Sequence, residues 1–142
     1  MAWELLKNEG EMTFSDEKWV LMLDDPSSPH VDLRDSLVGH NFRLNWTDSP
    51  DEALRAVREE PVDLGLIGLG RDVRRGLFNI RRIRSASPKL AIIAISPFFI
   101  TELIMKLIEL DTYSFLVEPV NFIDLERLIL RAFERINEEG DF

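Results

Sequence analysis

Two adjacent carboxylates, Asp24 and Asp25, follow the apolar run WVLML, and they are the first residues in the chain arranged to do chemistry. Paired carboxylates hold a hard cation or serve acid–base chemistry. Three other positions belong with them because each closes an apolar run: Gly68 in VDLGLIGLG, Ser96 in LAIIAIS and Glu118 in YSFLVEP. Gly68 poses a question, since glycine inside a strand costs roughly 0.5–1 kcal/mol and delivers no side chain. GLIGLG has the order G-x-x-G-x-G and no G-K-[ST] follows, so the glycines read as packing or turn residues rather than a phosphate loop. His30 and His40 are the only histidines and lack metal-ligand spacing, so they read as ordinary surface or cap residues. With no cysteine, disulfides, thiolate catalysis and cysteine-ligated zinc are excluded. Nothing forms a second catalytic constellation beside the acidic pair, and the chain is expected not to be an enzyme.

These residues need a scaffold, and apolar runs alternating with amphipathic stretches supply one. Strands are predicted at 19–23, 42–46, 62–69, 90–96 and 113–117. A helix starting at Ser27-Ser28-Pro29 carries Leu33 and Leu37 at i, i+4. Ser49-Pro50-Asp51-Glu52 reads as a capping box opening a second helix. Leu77, Phe78, Ile80 and Ile83 mark a third, residues 100–110 a fourth, and Asn121 caps a last one running to about Asn137. Five strands and five helices in strict alternation predict a doubly wound α/β fold with a parallel sheet and right-handed crossovers. Sites in such folds lie beyond the carboxyl ends of the strands, where Asp24, Asp25, Gly68, Ser96 and Glu118 all fall.

The chain of 142 residues is 45% hydrophobic and 30% charged, a globular balance for one domain. Residues 1–17 show no sustained period and read as a mobile tail; 18–137 form the domain and 138–142 a short C-terminal tail. Neither a signal peptide nor a membrane-length apolar run is visible, which fits a cytoplasmic location. A net charge of −9 argues against nucleic-acid backbone binding. The charge is uneven: Arg71, Arg74, Arg75, Arg81, Arg82 and Arg84 cluster with only Asp72 opposing them. This is either a solvated helix face or a docking surface for an acidic partner.

VLMLDDPSS, GLFNIRRIRSASPKLAIIAIS and SFLVEPV together, in this order and spacing, resemble a response-regulator receiver domain over residues 18 to about 137. The resemblance implies a flavodoxin-like (βα)5 fold, with strand order 2-1-3-4-5 and helices on both faces. It implies a switch aromatic at Phe115 and a cis peptide before Pro119. A receiver accepts a phosphoryl group on an aspartate ending the third strand, with Mg²⁺, a lysine and a Ser/Thr hydroxyl assisting. Here the aspartate position is Gly68 and the lysine position is Glu118, while Asp24, Asp25 and Ser96 remain. The chain therefore resembles a pseudo-receiver that cannot be phosphorylated, in which Mg²⁺ binding is weak or absent and Asp24 and Asp25 are only weak metal candidates. An alternative is a ligand- or cation-sensing module that uses the altered acidic pocket. An active phosphoacceptor using Asp63 or Asp72 ranks third.

Without the lysine, Asp24, Asp25 and Glu118 converge, and two unit charges 4 Å apart repel by about 4 kcal/mol at an effective dielectric near 20. A shared proton, a bound cation, or Arg71 or Arg74 swinging in would relieve this. The helix at 100–110 carries its apolar residues on an arc about 160° wide, more than a core stripe needs. Leu103, Leu107 and Leu110 are assigned to the core. Ile104, Met105 and Ile108, with Ile123 and Leu130 on the last helix, are either a broad core contact or surplus apolar surface. In the second case they form a protein interface, with a homodimer or a signalling partner as occupant.

Overall fold

The computed structural model describes residues 17–27 and 29–140, with side chains placed through Asn137. The expected N-terminal tail, apart from Glu17, lies outside the described residues, as do Ser28 and residues 141–142. Five strands, β1 (Lys18–Leu23), β2 (Phe42–Thr47), β3 (Leu64–Gly68), β4 (Ala91–Ser96) and β5 (Ser114–Val117), alternate with five helices. The helices are α1 (Val31–Leu37), α2 (Pro50–Glu59), α3 (Val73–Ala86), α4 (Thr101–Glu109) and α5 (Phe122–Gly140). All strand pairs are parallel, and the sheet order is β2-β1-β3-β4-β5, as expected.

Alternation along the strands divides the core between the two faces of the sheet. Leu21, Leu23, Ile67, Leu69, Ile92 and Ala94 pack against α2, α3 and α4 through residues such as Leu54, Ile80 and Leu107. Val20, Met22, Leu64, Leu66, Ile93 and Ile95 pack against α1 and α5 through Leu33, Leu37, Leu125 and Ile129. Every residue of β3 is buried, as a central parallel strand covered on both faces requires. Gly76 lets α3 press onto the end of β3, because a Cβ there would lie 2.5 Å from the Leu69 carbonyl oxygen.

The helix ends refine the predicted signals. Ser49 accepts the Glu52 N–H at 3.2 Å, but the Glu52 carboxylate takes the Thr47 hydroxyl instead of returning to Ser49, so the capping box is half made. Asn121 Oδ1 accepts the N–H groups of Ile123 and Asp124, capping α5 as predicted. That helix continues to Gly140 rather than ending near Asn137. The first helix does not start at Ser27-Ser28-Pro29; it starts at Val31 with His30 in the N-cap position.

Two residues of the arginine-rich stretch stand out. Phe78 is 53% exposed, because one helix face carries Leu77, Ile80 and Ile83 inward and Phe78 falls opposite them. Arg84 is a structural clamp rather than part of a docking face. Its guanidinium donates to the carbonyls of Ser87, Pro88, Leu90, Leu110 and Asp111 at 2.7–3.2 Å. Ser87 and Leu110 are the C-caps of α3 and α4, so one cation serves two helix ends where the helix dipoles are negative. Burial pushes the Arg84 pKa down, and Asp111 partly restores it.

Candidate functional site

Four strand ends deliver the predicted site residues to one edge of the sheet. Asp24 follows β1, its N–H held by the Thr47 carbonyl at 2.9 Å, and it is only 2% exposed. Gly68 ends β3 and Ser96 ends β4. Glu118 follows β5, with its N–H on the Ser96 carbonyl at 2.9 Å and a cis peptide to Pro119, as the resemblance implied.

What sequence reasoning missed is the residue that joins them. His30, expected on the surface, turns its ring into the pocket, and only 11% of its side chain is exposed. Nδ1 lies 2.8 Å from Asp24 Oδ1, and Nε2 lies 2.5 Å from Glu118 Oε2, both within hydrogen-bond distance. Its backbone N–H also donates to Asp24 Oδ2 at 2.7 Å. Two carboxylates facing both ring nitrogens are satisfied by a doubly protonated imidazolium. The Asp24 hydrogen bond raises the His30 pKa above its ordinary 6.5; burial opposes this, and Glu118 adds to the rise. His40 fits its expected role, accessible at the surface beside Glu126 and stacked on Phe42.

This ring explains the missing side chain of β3. A Cβ built on Gly68 would touch Asp24 Oδ1 and His30 Cε1, both at 3.4 Å, and His30 Nδ1 at 3.5 Å. A methyl group would fit there, but a carboxymethyl group would have to displace the imidazole. The histidine therefore stands over the position where the resemblance implies a phosphoaccepting aspartate.

The cation that relieves the carboxylate cluster is thus His30, assisted by Arg34 rather than by Arg71 or Arg74. Arg34 Nε lies 4.0 Å from Asp24 Oδ2, and its guanidinium is stacked 3.6 Å from the centre of the Trp46 ring. Stacking on indole holds this partly buried cation beside Asp24. Among the described residues no ion pair joins Arg71 or Arg74 to the pocket carboxylates; both side chains are exposed. Arg75 and Asn79 border the small gap above Gly68 and Asp25.

The remaining polar groups are also committed. Asp25 Oδ1 accepts the Ser27 N–H at 2.8 Å and its hydroxyl at 2.6 Å. Gly70, with φ of 74°, packs so closely on Asp25 that a Cβ there would lie 2.5 Å from the carboxyl carbon. Fully buried Ser96 donates its hydroxyl to the Phe98 carbonyl at 2.6 Å and accepts the Phe98 N–H at 3.1 Å, which closes the turn after β4. The donor set does not fit Mg²⁺. Asp24 is taken by His30, Asp25 by Ser27, and Gly68 offers no third carboxylate; a divalent ion beside Asp24 would meet the imidazolium's charge.

Phe115, the expected switch aromatic, is half-buried and packs on the core shared by α2, α3 and α4. The expected interface residues divide. Ile104 packs partly against the core, so it is not surplus surface. Met105, Ile108, Ile123 and Leu130 are 53%, 62%, 60% and 49% exposed. Phe98, Phe99, Ile100 and Phe122 are exposed as well, and the sequence reading did not single them out.

The architecture matches a receiver domain from Methanospirillum hungatei JF-1 with a TM-score of 0.77 at 18% identity, covering 88% of this chain and all of that one. This is the receiver fold. A response regulator from Burkholderia pseudomallei, described with a phosphorylated aspartic acid, calcium ion and citrate, superposes with a TM-score of 0.68 at 17% identity, over 87% of this chain and 73% of that one. In sequence, the chain is 24% identical over 121 residues to the transcriptional regulatory protein ZraR of Salmonella typhimurium, covering 85% of this chain. It spans about a quarter of the length of the curated relatives it matches. No family model matches. Among the described residues no helix of this receiver fold is long and apolar enough to cross a membrane.

Proposed function

We propose that the chain is a pseudo-receiver: a non-enzymatic signalling module that works by protein–protein contact, independently of phosphorylation and of Mg²⁺. The observation that carries this is the His30 ring, clasped between Asp24 and Glu118 directly over Gly68. A phosphoryl acceptor needs a carboxylate nucleophile and room for three phosphoryl oxygens. Here the nucleophile's position has no side chain, and an imidazole fills the space. The Ser96 hydroxyl, which would assist, is spent on its own turn. Asp63 is no substitute: its carboxylate accepts the Trp19 N–H at the opposite end of the sheet.

A pocket held this way stabilises one arrangement of its loops, and the output surface then stands ready without a phosphate signal. That surface is formed by α4, β5 and α5, where Met105, Ile108, Ile123 and Leu130 are exposed. Its occupant is a second copy or a signalling partner in the cytoplasm, rather than nucleic acid or membrane. Burying this surface contributes roughly 25 cal/mol per Å² before the costs of association. Incubation with acetyl phosphate and Mg²⁺ followed by intact-mass measurement is expected to show no phosphoryl adduct. An adduct mapped to any aspartate would refute the proposal.

A ligand-sensing reading draws on a different observation. A cleft of about 320 Å³ opens beside His30, lined by Pro29, Val31, Leu33, Val120 and Phe122. A thermal-shift screen of metals and small molecules separates the two readings, since stabilisation that disappears in His30→Ala would favour the sensor.

A further inference from the structure

The outward face of α3 carries a pattern that helix stability does not account for. Phe78 is 53% exposed and sits at its centre. Arg74, Arg75, Arg81 and Arg82 are its neighbours at i−4, i−3, i+3 and i+4, the four positions that surround a side chain on a helix surface. Arg71 adds a fifth guanidinium in the loop just before the helix. Like charges at this spacing repel by about 0.2–0.5 kcal/mol per pair, so the cluster weakens the isolated helix.

Little on the chain itself offsets these charges. Arg82 reaches Asp51 at 3.3 Å, its guanidinium 5.7 Å from the Phe78 ring centre. Asp72 is occupied as the N-cap of α3, accepting the Arg75 N–H. Among the described residues no ion pair holds Arg71, Arg74, Arg75 or Arg81. This happens in a chain with a net charge of −9, where carboxylates outnumber cations and could have been placed opposite.

We propose that this α3 face is a docking site for an acidic protein segment that carries an aromatic or aliphatic residue. Charge complementarity selects the partner's sign. The arginine chemistry selects carboxylates, because a planar guanidinium binds them through two parallel hydrogen bonds and no lysine stands in the cluster. Phe78 supplies the apolar anchor, ringed by charged side chains whose stems exclude water as contact forms. Nucleic acid is disfavoured: the overall charge repels a long polyanion, and a phosphate backbone has no use for the phenyl group. Phe78 and its arginines lie on α3, outside the α4, β5 and α5 residues named above, and a chain that did accept phosphate could carry them unchanged. Its test therefore does not depend on the pocket.

A library of short random peptides is panned against the whole chain, and the best binder is labelled for fluorescence anisotropy. Selected peptides are expected to be rich in Asp and Glu with at least one apolar residue. Arg74→Glu with Arg81→Glu should weaken the best binder by about tenfold or more, and Phe78→Ala by about threefold or more. Affinity should fall as salt rises from about 50 to about 200 mM. Peptides without acidic enrichment, equal binding by the double variant, or single-stranded DNA bound as tightly as the peptide would overturn the proposal. Circular dichroism checks the fold, and the Arg74→Gln, Arg81→Gln pair replaces the charge reversal if that variant unfolds. Ile108→Glu, on the other surface, should leave peptide binding unchanged.

Discussion

Replacing His30 with alanine perturbs the pocket most directly. The variant keeps the backbone N–H bond to Asp24 and loses both ring bonds, to Asp24 and to Glu118. Hydrogen bonds to charged groups contribute about 1.5–3 kcal/mol each, and stranding one partner of a buried ion pair costs about 3–5 kcal/mol. Two features of the site lower the estimate. The Glu118 side chain is 27% exposed and can turn to water, and Arg34, 4.0 Å from Asp24, shares its charge. A loss of about 3 kcal/mol is expected, which in a domain of this size lowers Tm by about 10 °C.

The dependence on pH has a definite sign. His30 in the folded chain binds its proton more tightly than the unfolded value of 6.5 allows. The proton-linked stabilisation is therefore complete below about pH 6.5 and is lost as pH rises through the raised folded-state pKa. The stability gap between wild type and His30→Ala should be widest near pH 6 and narrow toward pH 9. Urea denaturation of both proteins at about pH 6, 7.5 and 9 measures this. Because the titrating groups outside the pocket are common to both proteins, the difference reports on the imidazole and the carboxylates it bridges. A gap below about 1 kcal/mol at pH 6, or one that widens toward alkaline pH, would refute the imidazolium clasp.

Gly76→Ala should destabilise by about 3 kcal/mol or more, since its Cβ would meet Leu69 backbone atoms that cannot yield. Gly68→Ala, with its nearest contacts at 3.4 Å, should stay within about 1 kcal/mol of wild type in the same urea titration. Arg84→Met leaves five carbonyls without their shared donor and should cost about 3 kcal/mol, measured by thermal denaturation. Ile108→Glu and Leu130→Glu alter exposed side chains, so they should leave the circular dichroism spectrum intact while light scattering reports weakened self-association.

Strand and helix positions and the four strand-end residues were legible because each rests on a local pattern, whereas the strand order came only from the resemblance to a receiver. LAIIAIS reads as a covered parallel strand wherever it sits, and the residue after each apolar run must fall at the sheet's edge. His30 was not legible from its neighbours. It stands six residues after Asp24 and 88 before Glu118, and nothing in that spacing distinguishes it from a loop histidine. The available signal was a deficit: three carboxylates converging without the lysine required a cation from somewhere. That reasoning looked to Arg71 and Arg74 because they follow β3, whereas the loop after β1 was nearer. Arg84 misled for the same reason. Its membership of an arginine run is a sequence fact, but its carbonyl partners lie on two loops brought together only by the parallel sheet. Phe78 marked the third helix by apolar character alone; its helical phase relative to Leu77, Ile80 and Ile83 places it outside.

On the proposed reading as a pseudo-receiver, the residues at 30, 68 and 118 make sense together and not singly. Glycine at position 68 removes a carboxylate and opens space; alone it would leave a cavity above β3. Glutamate at 118 brings a carboxylate in place of a cation; alone it would add repulsion beside Asp24. Histidine at 30 fills that space, and its two ring nitrogens span the distance between the two carboxylates. An aspartate at position 68 with His30 unchanged would therefore crowd the pocket. A lysine at position 118 alone would face the imidazolium with a second cation. On the proposed reading, phosphate chemistry would need all three positions to change, because the charge that balances this pocket comes from a titratable imidazolium and not from a phosphoryl group.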